Sequence, residues 1–265
     1  MDEAYRNYHT HTARCRHAVD ADEVYVLTAI ACGYDTLGFS DHSPWPYSVS
    51  SDCRMSLDEL EDYIRSVRGL QSRYRGRIRI LTGLECEHYP KYYNWLRSVR
   101  DRFRLDYLIL GNHYLREDED NCYFAYARSG DQLKVYADMA VEGMRSGLFA
   151  YLAHPDVALA SYPQFDGAAE QMSRIICQAA KEMDFPLEYN LQGRLYQDLN
   201  RYDGLTYPCG DFWRIAGAFG CKAIVGVDAH AAASLRRTDR IDEGRRILSA
   251  YGCRPVDSIR SASEN

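Results

Sequence analysis

No apolar run in this 265-residue chain is long enough to span a bilayer, and the N-terminus, MDEAYRNYHT, lacks the apolar segment of an export signal. Membrane insertion and secretion are therefore not expected. Paired-cysteine motifs are missing too. Nine cysteines, an odd number, are spread from Cys15 to Cys253 without a CxxC, which argues against a disulfide framework and for reduced thiols in the cytoplasm. No Pro-, Gly- or Ser-rich linker and no low-complexity stretch divides the chain, so residues 1–265 read as one domain whose polar tail, Arg254 to Asn265, is expected to fray. Positive charge is not in excess: a net charge of −6 gives no global attraction to nucleic acid, and no such partner is expected. The one basic run, IRSVRGLQSRYRGRIRI, holds six arginines between Arg65 and Arg79 but follows Glu59, Glu61 and Asp62, and reads as a solvated helix face and loop.

What is present is an ordinary globular composition, 46% hydrophobic and 26% charged, carrying a repeating unit. A short β-branched or aromatic run ends in a ligand-type residue, then come a loop and an amphipathic helix. Seven such units can be counted. The strands end at HTHT, at TLGFS before Asp41 and His42, at LECEH, in DYLILGNHYL, in FAYLAHPD, in PLEYNLQG and at KAIVGVDAH. The first helix is expected from Asp20 or Asp22 towards Gly33, with Val24, Leu27, Ile30 and Ala31 on its apolar face. Ser56 with Glu59 marks a capping box before the second helix. Further helices are expected near Lys91–Arg102, Ser129–Ser146, Ala168–Asp184, Asp211–Phe219 and Thr238–Ala250. Strands apolar enough to be covered on both faces and alternating with helices predict a parallel sheet with right-handed crossovers, and seven units close more naturally into a barrel than an open sheet. In such a barrel the chemistry gathers at the C-terminal strand ends.

The ligand-type residues fall at those ends. YHTHTARCRH delivers His9, His11 and His17 within nine residues, and the spacing of two on a strand turns His9 and His11 to one side. A pair of that kind is common on solvated strands. Here, however, seven of the eight histidines stand at the ends of apolar runs beside carboxylates, glycines or prolines. The candidate ligands are His9, His11, His17, His42, Glu85, His113, His154, Asp228 and His230, nine in all, with Glu87 on the same face of its strand as Glu85 and not separable from it by spacing. One catalytic ion takes three or four protein ligands, so nine suffice for two or three ions. Imidazole and carboxylate without clustered thiolate suit zinc, iron or manganese.

The motifs HTHTARCRHA, GFSDHSPW, TGLECEHY, LGNHYL, LAHPD, LEYNLQGR and GVDAH, spanning residues 8 to 230, resemble in identity and order those of the polymerase-and-histidinol-phosphatase (PHP) superfamily, and within it the histidinol-phosphate phosphatase branch. The resemblance implies a distorted (β/α)7 TIM-like barrel with a three-metal centre. By position His9, His11, Glu85 and Asp228 would hold one ion, Glu85, His113 and His154 a second, and His17, His42 and His230 a third. It also selects Glu85 over Glu87 as the bridging carboxylate. Glu85, Asp228 and His230 are accordingly expected to be catalytic. The implied activity is hydrolysis of a small phosphate monoester, L-histidinol phosphate first among them. Two departures concern substrate rather than metal: GNHYL stands where a serine more often precedes the histidine, and Tyr189 and Gln192 sit where the family reads closer to EVNTAG.

Charge supports a phosphate tenant. Three divalent ions less two carboxylates leave about +4 among neutral imidazoles, and paired ions can activate a shared water and clamp the attacking and leaving oxygens. Arg14, Arg16 and Arg194 lie in expected loops beside the ligand stretches and can fork onto phosphate oxygens, Arg194 being favoured because its strand carries no metal ligand. His88 is read as adjacent to substrate and Trp45 as a possible pocket wall. Glu188 and Asn190 are candidate partners of the ligands, and Cys15 and Cys86 are expected to serve packing.

Overall fold

The computed structural model describes residues 4–47, 52–116 and 122–259. Strands β1 (Tyr5–Asn7), β2 (Tyr34–Phe39), β3 (Arg79–Cys86) and β4 (Tyr107–Leu110) form a parallel sheet in that order, and β5 (Leu187–Asn190) pairs in parallel with β6 (Lys222–Gly226). The expected strand at FAYLAHPD is reduced to one residue. Leu152 bridges Leu110 on one side and Leu187 on the other, joining the two sheets in parallel. A parallel bridge between Thr10 and Ala229, with His11 N–H donating to the Ala229 carbonyl (2.9 Å) and Ala229 N–H to that of His9 (3.1 Å), ties the last strand position back to the first. Seven strand positions thus close into the (β/α)7 barrel, irregular where Leu152 stands in for a strand.

Helices α1 (Asp22–Ala31), α2 (Leu60–Arg73), α3 (Tyr93–Phe103), α4 (Gly130–Arg145), α5 (Gly167–Glu182), α6 (Leu191–Asp198), α7 (Gly210–Phe219) and α8 (Thr238–Tyr251) surround it. Local chemistry sets several ends. The capping box forms, with Ser56 N–H donating to Glu59 Oε2 at 2.8 Å. Ser129 and Gln132 repeat the device at α4, and Asp166 accepts from Ala168 and Ala169 N–H to start α5. Within α1 the expected face is corrected: Tyr25, Val26 and Ala29 are buried, whereas Val24 and Leu27 are exposed. The hydrophobic residues of this helix lie nearly all round, and packing against the barrel chose the bulkier tyrosine. The tail is corrected as well. Arg254–Pro255 forms β7 beside β6, Asp257 pairs with Arg245 (2.7 Å), and Val256 and Ile259 pack under the barrel. Residues 260–265, the rest of the expected fraying, lie outside the described part.

Two apolar layers follow from the alternation of β-strand side chains. Outward residues pack against the helices. Inward, Tyr8, Leu81, Tyr107, Ile109, Tyr151, Ala153 and Ile224 fill the barrel below its C-terminal rim. Tyr107 is the plug: its hydroxyl donates to the Tyr8 carbonyl at 2.7 Å, and its ring occupies the space that a Cβ at Gly38 would need. The basic run of α2 is solvated as expected, with Arg65, Arg68 and Arg73 facing Asp62, Asp106 and Glu23. Among the described residues no helix is long and apolar enough to cross a membrane.

Candidate metal centre

Above the Tyr107 plug the strand ends deliver the histidines and carboxylates to one place. Glu85, at the end of β3, lies at its middle. Its Oε2 is 3.0 Å from His42 Nδ1, 3.4 Å from His9 Nε2 and 3.5 Å from His11 Nε2, while its Oε1 is 3.0 Å from His154 Nε2 and 3.4 Å from His113 Nε2. Asp228 Oδ1 stands 3.0 Å from His11 Nε2 and 3.4 Å from both His9 Nε2 and His230 Nδ1. The His17 and His230 rings stack at 4.6 Å, with His42 at 5.4 Å from His17. Among the described residues five sets of atoms are close enough to share an ion; one brings in Cys15 with His11 and His230, and of the four without a thiol three are His9, His11 and Asp228; His11, His42 and Glu85; and His17, His42 and His230. A fourth, His9, Glu85 and His154, has His113 beside it, His113 Nε2 being 3.0 Å from His154 Nε2.

Outer partners hold these side chains. His9 Nδ1 meets Glu188 Oε1 at 2.9 Å, and Asn190 donates from Nδ2 to Glu188 Oε2 (2.9 Å) and Asp228 Oδ2 (3.1 Å). Glu87 accepts from His113 N–H at 2.6 Å and contacts His113 Nδ1 at 2.8 Å, so it orients a ligand rather than standing at the middle. Asp41, which the sequence placed at a strand end without a role, is 3.3 Å from His11 Nδ1, and it accepts from His42 N–H (2.9 Å) and the Thr12 hydroxyl. Such contacts fix which ring nitrogen faces inward. The alternation that put Glu85 and Glu87 on one face also separates them by a strand repeat, and that distance gives them different neighbours.

Five of the inward atoms have no hydrogen-bond partner among the described residues. His9 Nε2, His11 Nε2, His230 Nε2, Glu85 Oε2 and Asp228 Oδ1 are all buried and unsatisfied among the described residues. Buried polar atoms are rarely left so, and five convergent ones of ligating type are what a cation site presents. The donor set therefore fits the expected metals. The backbone is held against preference here too, since His154 (φ 59°) and Asp228 (φ 52°) occupy the left-handed region. Electrostatics divide the cluster. Burial disfavours protonation of His9, but Asp228, Glu188 and Glu85 outweigh it and hold its pKa well above the ordinary value. His11 is raised in the same way, burial being overcome by the adjacent Asp228 and Asp41 carboxylates. Burial drives His42 well below its ordinary range, and burial with repulsion from His11 takes His230 to about 3. Although burial favours the neutral acid, His113, His9 and His42 hold Glu85 well below the usual carboxylate range.

The other candidates lie elsewhere. Arg14 pairs with Asp22 (2.9 Å) and Asp62 (2.7 Å), and Arg16 with Glu59 (2.5 Å), so both are drawn to the carboxylates of α1 and the α2 entrance. Arg194 is on α6 rather than in a loop, one turn past Asn190, bonded to Gln197 (2.9 Å) and 3.6 Å from Asp198. His88 turns to Tyr93 (2.5 Å) and Glu142 (3.1 Å), and Trp45 is buried against Tyr89, Tyr92 and Trp95. Among the described residues none of these five side chains bonds a member of the cluster. Cys15, by contrast, packs within reach of His11 and His230; burial raises its thiol pKa, but hydrogen bonds with His11 and His17 more than offset this and lower it. A cavity of about 750 Å³ lies at the opposite, N-terminal end of the barrel, lined by Arg79, Arg145, Phe185 and Ile259, away from this chemistry.

A closed parallel barrel with histidines and carboxylates converging at its C-terminal rim defines a metal-dependent hydrolase of the barrel class. A family model described as "PHP domain" matches residues 7–192, and the chain belongs to that family. It is 30% identical over 227 residues, 84% of this chain and 85% of the relative, to a protein named "Probable histidinol-phosphatase" in Deinococcus radiodurans. It is 33% identical over 121 residues to the histidinol-phosphatase of Bacillus subtilis, covering 43% of this chain and 45% of that one. In fold it resembles the histidinol phosphate phosphatase of Lactococcus lactis, whose crystal structure is a complex with zinc, L-histidinol and phosphate, with a TM-score of 0.72 and 18% identity over 97% of both chains.

Proposed function

We propose that this chain is a metal-dependent phosphomonoesterase that hydrolyses L-histidinol phosphate to histidinol and inorganic phosphate. The observation that carries it is the convergence of five unsatisfied ligand atoms, from His9, His11, Glu85, Asp228 and His230, in one buried place. The relatives' names supply the substrate. We assign His9, His11, Glu85 and Asp228 to one ion, Glu85, His113 and His154 to a second, and His17, His42 and His230 to a third. When bound, such ions supply a water of lowered pKa and Lewis acidity toward the phosphoryl oxygens. The chain's own part is positional. Glu188 and Asn190 lock His9 and Asp228, Glu87 locks His113, and Asp41 locks His11. Arg194 is half-buried and, among the described residues, bonds Gln197 and lies near Asp198 on its own helix, whereas Arg14 and Arg16 are clamped by ion pairs between elements, so of the three Arg194 is the one assigned to the phosphate.

The test is a panel of phosphate monoesters on metal-loaded protein. Histidinol phosphate should show the highest kcat/KM. Turnover no faster than that of glycerol phosphate ends the biosynthetic assignment, and absence of turnover on every ester ends the phosphoesterase reading.

A further inference from the structure

An arc of six tyrosines borders the histidine cluster, and we propose that it is the subsite for the alcohol half of the substrate, selecting an alcohol that carries a cation or a flat ring. The proposal rests on the phosphoesterase reading above. Ring to ring the arc runs from Tyr114 to Tyr123 (5.4 Å), Tyr126 (5.6 Å), Tyr202 (6.1 Å) and Tyr207 (6.2 Å), with Tyr196 5.9 Å from Tyr202. Both its ends rest on the cluster. Tyr123 is 6.0 Å and Tyr114 6.3 Å from the His113 ring, and Tyr207 is 6.4 Å from His154.

Two distant parts of the chain build it, Tyr114 with residues 123–126 after β4 and residues 196–207 from α6 onward, and they meet at Tyr126 and Tyr202. Tyr207 is buried, but Tyr126 is 59% exposed and the other four are partly open. Aromatic faces carry a negative quadrupole that attracts ammonium and guanidinium groups, and flat rings stack on them. The arc already shows this property, since the Arg201 guanidinium lies 5.0 Å from the centre of the Tyr196 ring. Asp203, the acid beside Tyr202, pairs with Arg128 at 2.8 Å. Histidinol has an ammonium and an imidazole on adjoining carbons, so it offers the arc both kinds of group while its phosphate lies at the cluster.

The experiment compares kcat/KM for histidinol phosphate with that for glycerol phosphate, and measures L-histidinol binding to the metal-loaded protein by calorimetry. Tyr126→Leu and Tyr202→Leu should each lower the ratio by about 2- to 30-fold and weaken L-histidinol by a similar factor. Tyr202→Phe, which keeps the ring, should restore both. Equal losses on the two esters, or a ratio and an L-histidinol affinity that do not move, overturn the proposal. If the wild-type protein shows no preference for histidinol phosphate, the biosynthetic reading fails separately. The arc is then judged on phenyl phosphate against glycerol phosphate, where a ratio lowered by the Leu variants and kept by Phe supports it and an unchanged ratio overturns it.

Discussion

Replacing Glu85 with Gln changes the side-chain volume little and removes the charge that five histidine nitrogens face between 3.0 and 3.5 Å. Both carboxylate oxygens are engaged, Oε2 toward His9, His11 and His42, and Oε1 toward His113 and His154. On the assignment proposed above, two ion positions lose a ligand at once. Loss of metal-centred charge stabilisation is worth several kcal/mol, and at about 1.4 kcal/mol per decade this predicts a fall in kcat/KM of at least about 100-fold. Glu87→Gln is the internal control. Its carboxylate touches His113 alone among the ligands, through N–H at 2.6 Å and Nδ1 at 2.8 Å, and orienting contacts of that kind are worth about 10- to 100-fold. The assay is kcat/KM for histidinol phosphate at saturating metal, with bound metal per protomer measured on both variants. Glu85→Gln should be the more damaging and should lose metal. Equal losses, or a larger one at Glu87, would refute the central placement of Glu85.

Glu188→Gln removes the carboxylate behind His9 and should weaken metal binding by about 10- to 100-fold in a binding isotherm. Gly226→Ala should act in the same direction, because a Cβ there would overlap Glu188 Oε1; metal affinity equal to wild type would show that Glu188 does not position His9. With His9 and His11 held above their ordinary pKa, metal must displace protons from them. Binding should release protons and weaken as pH falls, measurable by calorimetry in buffers of different ionisation enthalpy, and a pH-independent affinity would count against the assignment. Arg194→Ala should lower kcat/KM about 10- to 150-fold on every ester alike, the value of a charge-assisted pair; a loss confined to one ester would mean that Arg194 reads the alcohol instead.

The barrel was legible because its strands are short apolar runs punctuated by ligand residues, and a period of two followed by helical spacing survives in a single sequence. The fifth strand was overstated because FAYLAHPD is apolar enough for a strand, while pairing through Leu152 alone satisfies both neighbours. The clustering of these histidines and carboxylates was legible for a reason of its own: histidine at the end of an apolar run has few packing uses. Spacing could not tell Glu85 from Glu87, since both share a face; the family motif chose, and the structure supplies the reason in their different neighbours. Arginines were harder to place. Arg14 and Arg16 sit beside HTHT in the sequence, but Asp22, Asp62 and Glu59 come from other elements and draw them away. Asp41 and the tyrosine arc had no local signal, because each works through residues far off in the chain.

The most direct test is the number of metal ions bound per protomer in protein purified without chelator and reconstituted in turn with zinc, manganese and iron. Elemental analysis should find two to three equivalents with at least one of these metals. Less than one equivalent with all three would contradict the reading of the histidine–carboxylate cluster as a multi-metal centre.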